Sequence, residues 1–377
     1  MTVRIEKLVQ GGLGLGRDEG GKVVLVEGAL PGERVEAETI REKGDVTFAR
    51  SVLVLEANAH RREPACPLYE QCGGCNLQHL DSAFQAQAKD ALVKDNLRRI
   101  AHIEDVPSDP VAFGPFWNWR TRCRFHVDLT NKRVGFLAEK SGTLVPLDSC
   151  PVLAAMLNDL LKEKKRLLQA GREAMFQGRG KHGLFEVPCQ AGDDGVSLGD
   201  DPVSLTVAGV TFAVSASVFF QSNPYVLEDM ASFVRAWTQG ERVIDLYSGV
   251  GTLSAFAGKR DSVRLVERNP KCLALAKRNV PWGTAFTGDA GKFRVKDMVD
   301  TVLVDPPRVG LDAGVPDLIA SWKPSRILYM SCNSVTLARD AARFLALGYQ
   351  PVHLRVFDMY PQTWEQEAAL VLDRRII

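Results

Sequence analysis

Val243-Ile244-Asp245-Leu246-Tyr247-Ser248-Gly249-Val250-Gly251-Thr252-Leu253-Ser254 is the stretch whose reading decides the fold. An apolar run of strand length enters a turn with two glycines and leaves as a helical pattern. Gly249 and Gly251 would let the backbone approach a ligand closely at the carboxyl end of a first strand. The next strand, Val263-Arg264-Leu265-Val266, ends at Glu267, where a carboxylate can accept both hydroxyls of a ribose. A hydride-transfer enzyme would carry Gly-x-Gly-x-x-Gly, but Ser254 stands in place of the third glycine. Further strands are predicted at 242–246, 262–266, 300–304, 326–330 and 351–357, with amphipathic helices at 270–279 and 335–346. That alternation predicts a doubly wound α/β sheet.

Upstream the pattern changes. Val23-Val24-Leu25-Val26, Arg34-Val35-Glu36-Ala37-Glu38 and Arg50-Ser51-Val52-Leu53-Val54-Leu55 read as short strands of a small β-barrel, a fold that commonly binds oligonucleotides. The run Gly11-Gly12-Leu13-Gly14-Leu15-Gly16 superficially resembles a phosphate loop, but no helix follows it to receive an anion, so a hairpin is the better reading. Residues 59–204 form a middle region with clustered cysteines, a helix-like stretch near 82–101 and mixed strands. We therefore expect three units: a barrel at 1–58, a central α+β region at 59–204 and the α/β sheet at 205–377.

The composition limits the function classes. The chain has 377 residues, 45% hydrophobic and 25% charged, as in soluble globular proteins. No stretch reaches 18 consecutive apolar residues and the first residues lack the apolar core of a secretion signal, so a cytoplasmic protein without a membrane span is expected. A monomer is expected as well. The net charge of +1 is low for a nucleic-acid binder, but charge can be local. Arg120, Arg122 and Arg124 interleave with Trp117, Trp119 and Phe125, which suggests stacking and phosphate contacts to RNA. A second basic stretch runs from Lys162 to Lys181.

In a chain read as cytosolic, eight cysteines are not disulfide material. Cys66-x5-Cys72-Gly73-Gly74-Cys75 brings three thiolates close together, which suggests one metal or cluster site. A four-iron cluster needs a fourth thiolate, and spacing allows Cys123 or Cys150. Zinc is the alternative. The x5-then-x2 spacing differs from the x3-then-x2 pattern of radical S-adenosylmethionine enzymes.

Two loops at strand ends carry candidate chemistry. Asp305-Pro306-Pro307-Arg308 follows the strand at 300–304, and Arg308 stands where amine methyltransferases usually place an aromatic residue. Tyr329-Met330-Ser331-Cys332-Asn333-Ser334 ends another strand. A lone cysteine there is more often a small buried hydrophobe than a nucleophile. Methylation at carbon 5 of uracil, however, needs a thiolate adding at carbon 6 and a base to remove the carbon 5 hydrogen. Glu367 is a candidate base.

Asp-x-x-x-Gly-x-Gly from Asp245, with Glu267 and Gly288-Asp289, resembles the class I S-adenosylmethionine methyltransferases. Ser331-Cys332-Asn333, Asp305-Pro306-Pro307-Arg308, Phe220-Gln221-Ser222-Asn223 and Tyr360-Pro361-x-Thr363-x-x-x-Glu367 resemble the RNA 5-methyluridine methyltransferase family. Within it the chain is most similar to the branch that modifies 23S ribosomal RNA. The resemblance covers essentially the whole chain and implies a TRAM-type barrel at the N-terminus. It implies Cys332 as nucleophile and Glu367 as base, with cofactor contacts from Gln221, Tyr247, Thr252, Glu267, Asp289 and Asp305. Gln221 with Phe219 would also meet the flipped base. It further implies a [4Fe-4S] cluster on Cys66, Cys72, Cys75 and Cys150. Three departures stand out. Ser334 replaces the usual Pro, which bears on how rigidly Cys332 is presented. Glu365 replaces a frequent His, which leaves two carboxylates as base candidates, Glu367 being favoured by register. Tyr247-Ser248 replaces Phe-Cys. The competing readings are a transfer RNA uridine-C5 enzyme, a cytosine-C5 or amine methyltransferase, and a non-catalytic cluster-bearing RNA-binding protein.

Overall fold

The computed structural model describes residues 1–181 and 183–375; Ile376 and Ile377, the end of the third expected unit, lie outside the described residues. Strands β1 (Thr2–Val9), β2 (Leu13–Arg17), β3 (Val23–Glu27), β4 (Arg34–Lys43) and β5 (Val46–Glu56) close into a barrel in the order β1-β2-β3-β5-β4. Period-two alternation fills it with Val3, Ile5, Val24, Val26, Val35, Ala37 and Ala49. The run from Gly11 turns the β1–β2 hairpin with φ of 92° at Gly11 and 71° at Gly12, as the absence of a following helix predicted.

Helix α1 (Ser82–Ala101) leads to a second sheet made of β6 (Arg122–Asp128), β7 (Arg133–Leu137), β8 (Leu144–Pro146), β9 (Gly180–Lys181), β10 (Leu184–Ala191) and β11 (Val196–Ser197). Helices α2 (Ala155–Glu163) and α3 (Lys165–Phe176) contribute Leu157, Leu160, Leu161 and Leu167 to the core under this sheet.

A hairpin of β12 (Val203–Val207) and β13 (Val210–Val214) precedes the third sheet. Its Leu205, Val207, Phe212 and Val214 belong to the core of that sheet, and β12 begins two residues before position 205. Then follow α4 (Pro224–Trp237), β14 (Arg242–Leu246), α5 (Thr252–Ala257), β15 (Ser262–Glu267), α6 (Pro270–Asn279), β16 (Thr284–Thr287), β17 (Thr301–Val304), α7 (Val315–Ser321), β18 (Arg326–Ser331), α8 (Ser334–Ala346), β19 (Tyr349–Phe357) and β20 (Glu367–Arg374). The seven strands run in the order β16-β15-β14-β17-β18-β20-β19, parallel except for β20, which is antiparallel to both neighbours.

Both faces of this sheet are covered, so its strands read as nearly continuous apolar runs. Leu303, Leu328 and Met330 face the core with α4, α5 and α6, while Val302, Val304, Ile327 and Tyr329 face the opposite core. That second core includes Val93, Leu97 and Ala101 of α1. A helix from the middle of the sequence thus belongs to the α/β layer, packed on α8.

The docking of α1 is partly polar. Lys89 is 2% exposed and donates to the Asp358 carboxylate at 2.5 Å and to the Tyr360 carbonyl at 3.1 Å. Removing one partner of a buried ion pair leaves the other charge uncompensated. Lys89→Met is therefore expected to lower unfolding stability by about 3–5 kcal/mol, measured by urea denaturation. An unchanged midpoint would show that Asp358 finds another partner.

Candidate active site

The strand order reverses between β14 and β17, and ligand crevices open outside the carboxyl ends of parallel strands at such a point. Leu246 and Val304 are register partners there, so the loops that follow them are neighbours. After β14 the chain turns through left-handed backbone at Tyr247 (φ 59°), Gly249 (φ 53°) and Gly251 (φ 83°). A Cβ on Gly251 would stand 2.8 Å from Val280 Cγ2, so only glycine lets the start of α5 pack against α6. Gly249 has open space where its Cβ would be. Glu267 accepts the Gly249 N–H at 3.1 Å and the Asn269 N–H at 2.7 Å, which ties the end of β15 to the turn. Beneath it, Asp245 accepts from the Ser254 hydroxyl at 2.7 Å, and burial pushes its carboxyl up to about 7.

An open cleft lies over these strand ends. Gln221, Tyr247, Thr252, Glu267, Asp289 and Asp305 all line it, together with Cys332 and Glu367. Phe219, 58% exposed, stands at its rim.

Register brings the two reactive candidates together. The antiparallel ladder between β18 and β20 pairs Ser331 with Ala368, so the next residues outward are Cys332 and Glu367. Burial pushes the Cys332 thiol up to about 12, with Glu367 and Asp305 adding to the rise and Arg308 opposing it. Burial also raises Glu367 well above the usual carboxylate range, reinforced by Asp305 and Glu365 and opposed by Arg308. Glu367 is 3% exposed, whereas Glu365 forms a 2.7 Å ion pair with Arg308. Of the two carboxylates, Glu365 is the one held by a cation, and Glu367 is the one at the ladder position facing Cys332.

Sequence reasoning missed several contributors. Tyr360 donates its hydroxyl to Gln221 Oε1 at 3.1 Å. Gln85 is fully buried; its amide accepts the Gln362 N–H at 2.8 Å and donates to Gln362 Oε1 at 3.0 Å. Asn76 accepts the Trp364 N–H at 2.9 Å. The available signal was a polar stripe: Gln85, Lys89 and Asn96 recur at helical spacing beside Val93 and Leu97.

Of the residues expected to contact RNA at 116–125, Trp119 and Phe125 are corrected, whereas Arg124 is exposed. Trp119 is 1% exposed with its ring edge-on to Tyr360, and Phe125 is fully buried, stacked on Phe136. Arg122 donates to the Ser215 and Ala216 carbonyls, and Arg124 pairs with Glu186. Alternation along β6 sends every second side chain inward, so aromatic–basic interleaving here marks a strand with one buried face.

Cys66, Cys72, Cys75 and Cys150 line one small pocket, with Tyr69, Arg120 and Phe136. Cys123 and Cys189 are buried register partners across β6 and β10, in the core under the second sheet. Burial raises the Cys72, Cys75 and Cys150 thiols, Cys75 to about 12, while Arg120 opposes the rise at all three. Among the described residues, no group of three or more His, Cys, Asp or Glu side chains is placed to hold a single metal ion, and no helix is long and apolar enough to cross a membrane.

The sheet order and the cleft at its switch point define a class I S-adenosylmethionine methyltransferase. The family described as tRNA (Uracil-5-)-methyltransferase matches residues 291–375, and the TRAM domain matches residues 1–52, the closed barrel. A 23S rRNA (uracil(1939)-C(5))-methyltransferase of Shewanella amazonensis is 31% identical, over 99% of this chain and 95% of that protein. An uncharacterized RNA methyltransferase of Bacillus cereus is 29% identical over 99% and 96%. The crystal structure of a Pyrococcus abyssi tRNA (uracil-54, C5)-methyltransferase with S-adenosyl-L-homocysteine superposes with a TM-score of 0.73, at 23% identity, covering 99% of this chain and 100% of that one. The chain belongs to the RNA uracil-C5 methyltransferase family.

Proposed function

We propose that this protein methylates carbon 5 of a uridine in 23S ribosomal RNA through a covalent bond between Cys332 Sγ and carbon 6 of the base. The observation that carries the reading is the β18–β20 register, which sets Cys332 and Glu367 side by side at the edge of the cofactor cleft. Gln221, Tyr247, Thr252, Glu267, Asp289 and Asp305 would hold S-adenosylmethionine, which supplies an electrophilic methyl group. The Cys332 thiolate would add to carbon 6 and push electron density towards carbon 5, which could then take the methyl group as its bond to the sulfonium sulfur breaks. Glu367 then removes the carbon 5 proton, the double bond re-forms and the thiolate leaves. The choice of 23S ribosomal RNA rests on the Shewanella relatives so named. Mapping 5-methyluridine in RNA from cells with and without the protein tests it; loss from transfer RNA instead would transfer the proposal to that substrate.

Burial raises both reacting groups, and each must be ionised to act, so the rate should rise with pH. Arg308 lowers both groups, and removing it raises them. Arg308→Gln should therefore move the kcat–pH profile to higher pH, and Glu365→Gln should move it to lower pH. Shifts in the same direction would refute this assignment of charges.

Cys66, Cys72, Cys75 and Cys150 line one pocket, and four thiolates are the ligand set that a [4Fe-4S] cluster requires. Cys66, Cys72, Cys75 and Cys150 would be its ligands, and the group would organise the chain around it. Anaerobically purified protein should contain about four iron and four sulfide per chain, and Cys75→Ser should lose both. Stoichiometric zinc would overturn this.

A further inference from the structure

The fold leaves one question about the catalytic pair: what keeps Cys332 and Glu367 at a set spacing once the ladder between their strands ends. Asn333 caps α8 by accepting the Val335 N–H at 3.1 Å, and Ser334 is the first residue of the helix. Ser334 is 1% exposed. Its hydroxyl accepts the Asn96 amide of α1 at 2.8 Å and lies 3.4 Å from the Gln366 amide nitrogen. Gln366 is fully buried and directly precedes Glu367. The Ser334 oxygen thus joins the arm that follows the nucleophile to the arm that precedes the base.

We propose that Asn96 is a positioning residue of the methylation reaction, holding Cys332 and Glu367 in register through the Ser334 hydroxyl. Three physical points support it. The contact sits just beyond the last β18–β20 ladder pair, Ser331 with Ala368, where Glu367 is paired only with Phe357 of β19. All three side chains are buried, so water cannot substitute for a lost partner. The same helix also grips the base arm further back, through Lys89 to Asp358 and Gln85 to Gln362, so both arms are referred to one rigid element. The Ser334 hydroxyl thereby bridges the two arms through side chains.

This inference rests on the assignment of Cys332 and Glu367. Its test is Ser334→Pro, Asn96→Leu and the double variant, assayed on 23S ribosomal RNA from cells lacking the protein. Proline is tolerated at the first helical position, so Ser334→Pro removes the hydroxyl without breaking α8. In single-turnover experiments, release of the covalent protein–RNA adduct should slow roughly tenfold to a hundredfold in each single variant, because misplacement by a fraction of an ångström suffices. Adduct formation and the dissociation constant for S-adenosylmethionine should change far less. The double variant should be no slower than the slower single one, since the two residues act as a unit. Unchanged release in both single variants overturns the proposal. Formation and release falling together, in step with the melting temperature, also overturn it by showing a structural role alone. If Cys332→Ala still methylates, the underlying mechanism fails instead, which is a separate result.

Discussion

Replacing Cys332 with alanine or serine is expected to reduce 5-methyluridine formation by on the order of 10⁴-fold or more while S-adenosylmethionine still binds. The size follows from losing the nucleophile of a covalent mechanism, where the remaining groups act only through binding and orientation. Carbon 5 of uracil is too weak a nucleophile to take a methyl group unaided, and no other thiol lines the cleft at the reacting end. Cys272, the other cysteine of the cleft wall, is 7% exposed and belongs to the core on the α6 side. Cofactor binding should survive because Gly249 and Gly251 lie in the turn after β14 and Glu267 ends β15, whereas Cys332 follows β18. Mass spectrometry of nucleosides, with calorimetry for the cofactor, checks both halves. A Cys332→Ala protein with substantial activity would remove the covalent mechanism and with it the meaning of the β18–β20 register.

The Glu367→Gln variant is expected to stop at a later point. Methyl transfer proceeds, but the amide cannot take the carbon 5 proton, so elimination fails and a denaturant-stable protein–RNA species accumulates. Turnover should fall by roughly 10²- to 10⁴-fold, the usual range for a lost general base. Gln is nearly isosteric, so the buried position opposite Cys332 is retained. The Glu365→Gln variant, by contrast, should turn over without trapping, because Glu365 pairs with Arg308 at the mouth. Accumulation with Glu365→Gln and not with Glu367→Gln would reverse the two roles. Neither variant is expected to disturb the cysteine pocket, which shares no lining residue with the reactive cleft.

Much of the α/β unit was legible because local signals agreed. The helix read at 270–279 is Pro270–Asn279 in the structure: Asn269 caps it, Pro270 occupies the first turn, and Lys277 and Arg278 close it. The strands read at 242–246 and 326–330 are Arg242–Leu246 and Arg326–Ser331, since strands covered on both faces leave apolar runs bounded by turns. The helix-like stretch at 82–101 is α1. Its location was not legible: it precedes the middle sheet in sequence yet packs on α8, and sequence distance carries no information about that. Within 116–125, Trp119 and Phe125 misled for a related reason. A strand with one buried face displays the same aromatic–basic alternation as a stacking surface, and only its partner across the ladder distinguishes them.

The division is clearest at the reactive pair. Composition, the Gly249–Gly251 turn, Glu267, Asp305-Pro306-Pro307 and the order of short motifs determined the class of fold, the cofactor and the candidate chemistry. Those depend on local backbone requirements, which the chain states residue by residue. Tertiary structure alone decided that Cys332 faces Glu367, that Glu365 is committed to Arg308, that Cys150 and not Cys123 joins the other three cysteines, and that α1 grips both catalytic arms. These depend on ladder register and helix docking, where one residue's displacement would turn each side chain to the opposite face.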